Sequence, residues 1–544
     1  MKTRFFLLIT LGLFSSSLPA QDYLVSTPNT SLMIKATPGE KVKIQYYGSK
    51  IGVNDIQSIY NTGVAFNADG YPTFGLQTMG EKAMAVTQPD GNMSLDLMVE
   101  QVKQYPVEEG KMTEIIMKDK VYPFHVTQYY KAYKGTDIIS TWVKVLNNGR
   151  KAVTLYRFAS AYIPVHRGDN WLTHFHGHWG AENMLEEEKL TNGQKVISNK
   201  DGAVNTETDN PSFMLSMNGK PQEEHGHILG GTLAWTGNYL LKMNVTNTKL
   251  NVIAGINEEN SHYILEPEET FSTPEFAMTY STSGKGGVSR AFHRWARQYK
   301  LNQGGTERDI LLNSWEGVYF KVSQEGMDQM MEAFSALGGE LFVMDDGWFG
   351  DKYKRNSDNS SLGDWKVDTG KLPGGIRKLV DDARQYKVKF GIWIEPEMAN
   401  TTSELYEKHP EWILKAPLRE PVLGRGGTQV VLDLGNPQVQ DFIFNLVDTL
   451  MTNYPEIDYI KWDANMAIMN HGSDYLPKDE QSHLYIAYHR GFENVCRRIR
   501  AKYPELTIQA CASGGGRANY GVLPYFDEFW VSDNTDALQR IYMQ

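Results

Sequence analysis

Six short apolar runs in the second half of the chain end in residues able to do chemistry. "ILLNSW" stops at Trp315, "GELFVMDDGW" carries Asp345 and Asp346, and "VKFGIWIEPE" carries Trp393, Glu395 and Glu397. "IDYIKWD" ends on Lys461 and Asp463, "LTIQACASGGG" holds Cys511 and Ser513, and "DEFWVSD" ends on Trp530 and Asp533. One acid at the end of a strand is well explained as a helix N-cap; the same chemistry at six successive ends calls for a shared pocket. Indole faces pack on the apolar face of a pyranose, and adjacent carboxylates such as Asp345 and Asp346 accept sugar hydroxyls. Cleaving a glycosidic bond needs two further carboxyls in unlike surroundings, one ionised to attack and one protonated to release the leaving oxygen. Asp463, beside cationic Lys461, suits the first role. Asp533, near Trp530 and away from an obvious cation, suits the second. Strand alternation turns Trp462, between Lys461 and Asp463, away from the substrate and into the wall.

These ends are brought together by a β/α barrel, in which the carboxyl ends of all strands open on one face. From Asp309 onward apolar strands alternate with amphipathic stretches in that rhythm. Residues 21–285 read differently. Short alternating segments such as "EKVKIQYYG", "IISTWVKVLNN" and "LAWTGNYLLKMNV", punctuated by "PDG", "NNG" and "MNG", predict an antiparallel β-sandwich. "RAFHRWARQYKL" predicts a helix within a linker over residues 286–308, after the glycine-rich "STSGKGGVS". The fold expected is an N-terminal antiparallel β-sandwich followed by an incomplete (β/α)8 barrel over 309–544, which stops after its sixth strand.

A chain of 544 residues, 41% hydrophobic and 12% aromatic, has ample material for two large cores. Its formal charge of −11, spread without long runs of one sign, argues against a nucleic-acid or anionic-membrane partner. The partner expected is a neutral or cationic small molecule. Residues 1–20, with Lys2 and Arg4 ahead of an apolar run and small residues before Gln21, have the form of a signal peptide, which predicts a secreted or periplasmic protein with no membrane attachment after cleavage. Cys496 and Cys511 are expected to be free buried thiols.

Taken together, "FVMDDGWFG", "GIWIEPEM", "YIKWDAN", "CASGGGR" and "WVSDNTDA" resemble, in order and spacing, the α-galactosidases of glycoside hydrolase family 36. "YPTFG", "DGNMSLDL" and "NPSFML" extend the resemblance into the first domain. It implies retaining hydrolysis of terminal α-galactosides such as melibiose or raffinose, with no cofactor and no metal. It also implies Asp463 as nucleophile and Asp533 as acid/base. The sugar-contacting positions it implies are Trp315, Asp345, Asp346, Trp393, Arg425, Lys461, Asn465, Cys511, Ser513, Gly514 and Trp530. The same resemblance covers α-N-acetylgalactosaminidases and galactosyl transferases, and an incomplete barrel leaves room for an inactive sugar-binding fragment. A homo-oligomer is left open.

Three departures bear on specificity and completeness. Thr78 stands where the family often has an acidic residue reaching the sugar, Met466 replaces an arginine, and the chain stops where the family continues to eight strands and a further β-domain. The Arg425 loop, "GRGGTQVVLD", is two residues longer than the usual form. His174, His176 and His178 share one strand face but are not expected to hold a metal, since no acidic partner is evident in the sequence. The glycines of "SGGGR" are expected to let backbone approach the sugar rather than to cradle a phosphate.

Overall fold

The computed structural model describes residues 21–76 and 79–544. The signal-peptide segment and Thr78 lie outside the described residues. Strand alternation builds the first half: Phe124–Tyr133 buries Phe124, Val126, Gln128 and Tyr130 on one face, with its other face half exposed. This strand sits in a ten-stranded antiparallel sheet that runs from the hairpin Ala181–Lys189/Trp171–His178 at one edge to Leu97–Val107 at the other. Smaller antiparallel sheets, among them Ala161–Val165 with Leu250–Ile256, Tyr239–Val245 and Gly193–Asn199, close over the core formed by Val126, Leu172, Phe213, Leu241 and their neighbours.

The second half is a parallel sheet of six strands in sequential order: Leu311–Asn313, Leu341–Met344, Lys389–Ile394, Ile457–Trp462, Thr507–Ala510 and Glu528–Phe529. Such strands are covered on both sides, and Leu341–Met344 is buried at every position. The intervening helices Gln324–Ala336, Gly375–Tyr386, Pro437–Asn453 and Leu484–Lys502 each bury one apolar stripe against the sheet. Their starts are locally encoded. Ser323 accepts from Gly326 N, and Asn436 accepts from Gln438 N with Pro437 in the first helical position. The two halves share backbone bonds, including Thr206 N donating to Gly516 O at 2.9 Å, and Ala203 and Val204 pack into the barrel core. Among the described residues no helix is long and apolar enough to cross a membrane.

One expected boundary moves. The linking helix begins at Gly284, inside the glycine-rich stretch expected to precede it, and ends at Trp295 in a wider turn over Ala296–Lys300. Gly284 has φ of +65°, and a Cβ there would lie 2.4 Å from Glu223 O. Only glycine lets the first turn press onto this backbone, where Gln222 and Glu223 carbonyls accept from Lys285 and Gly286 N–H at 2.9 Å each.

The histidine strand differs from expectation too. His174 Nε2 lies 3.1 Å from Glu188 and 3.7 Å from Glu186 across the hairpin, so acidic partners are present after all. Strand pairing places them there, 12 and 14 positions along the chain. His176 instead faces Asp209 and His178 the carbonyl of Trp179, so the three imidazoles do not converge. Both cysteines are buried and unpaired.

Candidate functional site

The strand Ile457–Trp462 delivers Asp463 to the open end of the sheet, where its N–H donates to Ile394 O at 2.8 Å. Donors surround its carboxyl. Ala464 N (2.8 Å) and Ser513 N (3.4 Å) reach Oδ1, while Asn465 Nδ2 (2.7 Å) and Trp393 Nε1 (3.2 Å) reach Oδ2. Burial alone would favour the protonated form, but the charges of Lys461 and Arg425 and the hydrogen bonds of Asn465 and Cys511 outweigh it and hold Asp463 below the ordinary carboxylate pKa. Lys461 makes its direct ion pair elsewhere, with Asp345 Oδ2 at 2.8 Å, and acts on Asp463 through space. Its ammonium also lies 5.0 Å from the centre of the Trp530 ring.

Asp533 follows the last short strand and is tuned the other way. Burial and the facing charge of Asp463 raise its pKa more than the hydrogen bonds of two indoles and the charge of Lys461 lower it, so Asp533 is not away from cations as the sequence suggested. Those indoles are Trp530, donating to Oδ1 at 3.1 Å, and Trp179, donating to Oδ2 at 3.0 Å. Trp179 comes from the sandwich, at the tip of the Trp171–His178/Ala181–Lys189 hairpin, and is 59% exposed. Sequence reasoning missed it, although "THFHGHWG" held the signal: a large aromatic on a turn. The same hairpin sends fully buried Glu182 beneath "SGGG", where it accepts from Ser532 Oγ (2.6 Å) and Gly515 N (3.3 Å). Gly514, at φ +86°, passes so close that a Cβ would lie 2.6 Å from Glu182 Oε1 and 2.7 Å from Asp533 N. Its glycine therefore serves a close approach of protein to protein.

Asp345 and Asp346 are both buried and both partnered. Asp345 Oδ2 accepts from Lys461 and from Asn313 Nδ2 (2.6 Å), and its Oδ1 from Asp346 N (2.9 Å). Arg355 forks onto Asp346, with Nε 3.0 Å from Oδ1 and Nη2 2.7 Å from Oδ2. Burial still raises Asp346 against the pull of that guanidinium. Neither Asn313 nor Arg355 was among the sequence candidates. Trp315 is half-buried, with Tyr319 and Phe320 edge-on to it at 5.3 and 5.0 Å. Trp393 is almost wholly buried and serves the site through its N–H on Asp463.

Cys511 is buried against Asp463, and burial pushes its thiol well up. Ser513 Oγ donates to Asn465 Oδ1 at 3.1 Å, fixing the amide that holds Asp463. Arg425 lies in a left-handed turn (φ +23°, then +68° and +74° at Gly426 and Gly427), within electrostatic reach of Glu395, Asp358, Asp463 and Asp533. Met466 packs under this turn at Gly424. Glu397 is a buried clamp: it accepts from Trp462 Nε1 (2.9 Å), Tyr488 OH (2.7 Å) and both Arg517 amino groups (2.7 and 3.1 Å). That network explains why Trp462 is turned inward.

Comparison with known proteins agrees with this architecture. Residues 40–266 match the glycosyl hydrolase family 36 N-terminal domain, and residues 270–544 match the melibiase family. Alpha-galactosidase AgaA of Geobacillus stearothermophilus is 35% identical over 80% of this chain and 59% of its own length. Alpha-galactosidase Mel36A of Lactobacillus acidophilus is 33% identical over 87% of this chain and 66% of its own. The chain thus spans about three fifths to two thirds of these relatives. The crystal structure of the alpha-galactosidase from Lactobacillus brevis superposes with a TM-score of 0.90 at 28% identity, over 97% of this chain and 75% of that one. A crystal structure of an AgaA variant with raffinose also superposes at 0.90, with 29% identity, over 96% of this chain and 77% of that one.

Proposed function

The chain belongs to glycoside hydrolase family 36, and from that membership we propose that it is a retaining exo-α-galactosidase acting on melibiose- or raffinose-type oligosaccharides. The observation that carries this reading is the unlike setting of two carboxyls at the open end of the sheet, Asp463 ringed by four N–H donors and Asp533 held by two indoles, with the pKa of the first pulled down and that of the second pushed up. Asp533 gives its proton to the glycosidic oxygen as the bond to the anomeric carbon breaks, and a carboxylate oxygen of Asp463 forms an ester with that carbon. Asp533, now ionised, takes a proton from water, whose oxygen displaces Asp463 and restores both groups. Asp345 and Asp346, each held by a cation, keep lone pairs for sugar hydroxyls, and Trp315 and Trp530 offer apolar faces. The raffinose bound by the AgaA variant supports the substrate class. Residues 1–20 act as an export signal in this reading.

Turnover of nitrophenyl α-galactoside tests the activity, and a preference for its N-acetylgalactosamine analogue would redirect the substrate assignment. Azide added to Asp463→Ala should yield a β-galactosyl azide, whereas Asp533→Ala should still be glycosylated by substrates with good leaving groups and give the α-azide. Exchange of these two products reverses the assignment of nucleophile and acid/base.

A further inference from the structure

A third carboxyl lies behind the reacting pair. Glu395, at the end of Lys389–Ile394, is fully buried. Its Oε1 accepts from Asn465 N at 2.7 Å and from Gln429 Nε2 at 2.9 Å. Asn465 in turn holds Asp463 Oδ2 at 2.7 Å, so Glu395 anchors the group that anchors the nucleophile. The two oxygens of Glu395 are treated unequally: Oε2 is buried with no hydrogen-bond partner, and the same is true of the Gln429 Oε1 acceptor. An ionised carboxylate needs donors on both oxygens. Here two N–H groups serve one oxygen and none serves the other, so Oε2 lacks the donors that a buried negative charge requires, and of the two oxygens it is the one placed to carry a proton.

We propose that Glu395 is a positioning residue kept as a neutral carboxylic acid, which locks Asn465 onto Asp463 without placing a second negative charge behind the nucleophile. The inference rests on reading Asp463 as the nucleophile. The charged groups facing Glu395 are Asp463 at the end of the neighbouring strand, Arg425 in its turn, and Arg355 in the loop after Leu341–Met344. Burial and the Asp463 charge push Glu395 up to about 8, against the pull of the two arginines.

The test uses two variants and one spectrum. Glu395→Ala removes the acceptor for Asn465 N–H, and misplacing a reacting group costs up to about a hundredfold, so kcat should fall by roughly ten- to a hundredfold with KM within about twofold. Glu395→Gln has the shape and charge of the neutral acid and keeps a carbonyl acceptor, so it should recover most of that loss; equal losses in both variants would overturn the proposal. In infrared difference spectra, wild-type protein near pH 6 should show a protonated-carboxyl C=O band that Glu395→Gln lacks, and the band should bleach as pH rises through about 8. Identical spectra for the two proteins would also overturn it. The band is read without turnover, so a chain that cannot cleave the galactoside counts against the proposed function and leaves this inference to be decided by the spectrum.

Discussion

Trp179→Phe isolates what the sandwich domain contributes to acid/base chemistry in the barrel. The substitution keeps an aromatic ring at the hairpin tip and removes one donor, the indole N–H that lies 3.0 Å from Asp533 Oδ2. Such a bond stabilises the ionised carboxylate, so its loss must raise the Asp533 pKa further. A hydrogen bond to a charged group contributes about 1.5–3 kcal/mol in mutational series. Water competes at an indole that is 59% exposed, and about 1 kcal/mol is the appropriate share. At about 1.4 kcal/mol per pKa unit, that moves Asp533 up by roughly 0.7 unit. Trp530 still donates to Oδ1 at 3.1 Å, so the carboxyl keeps its place. The assay is kcat/KM for nitrophenyl α-galactoside against pH: the alkaline limb, which reports loss of the Asp533 proton, should shift upward by that amount while the acid limb, set by Asp463, stays fixed. An alkaline limb that stays put or moves down, with only KM altered, refutes the claim that the hairpin tunes the acid.

Arg355→Lys should raise KM by about tenfold with a smaller effect on kcat, because a lysine cannot reproduce the forked contact that orients Asp346; steady-state kinetics on the same substrate decide it. Arg517→Met strands the fully buried Glu397 without its cation, and should cost about 3–5 kcal/mol in chemical denaturation, against a much smaller loss in the double variant with Glu397→Gln. His483 should make stability depend on pH. Its Nε2 accepts from Ile264 N at 2.8 Å and its ring stacks on Tyr263 at 4.1 Å, while burial lowers its pKa to about 4. The unfolded chain takes up this proton first, so the contribution is complete above the ordinary histidine pKa of about 6.5 and is lost as pH falls toward 4. Melting temperatures across that window should fall less steeply in His483→Phe than in the wild type.

The sequence by itself determined the two architectures, because the periods that distinguish them, two for a half-buried strand and 3.6 for a helix on a sheet, are written into consecutive residues. It also determined that Trp315, Asp345, Asp346, Lys461, Asp463 and Asp533 would share one face, since parallel strands with helical returns expose all their carboxyl ends together. The start of the linking helix was not legible, because what caps it is the backbone of Gln222 and Glu223, more than sixty positions earlier. The partners within the site were not legible either. Lys461 stands two residues from Asp463 in the chain, yet its ammonium is bonded to Asp345, 116 positions away, because the long side chain reaches past the intervening strand Lys389–Ile394 to the end of Leu341–Met344. Trp179 reaches Asp533 across 354 positions, and Glu182 reaches Ser532 across 350. Contacts of that span leave no periodic trace. They are set by how the hairpin at one sheet edge packs against the open end of the barrel, and the same packing decides which carboxyl is held ionised and which keeps its proton, since desolvation and the nearest opposite charge are properties of the folded neighbourhood.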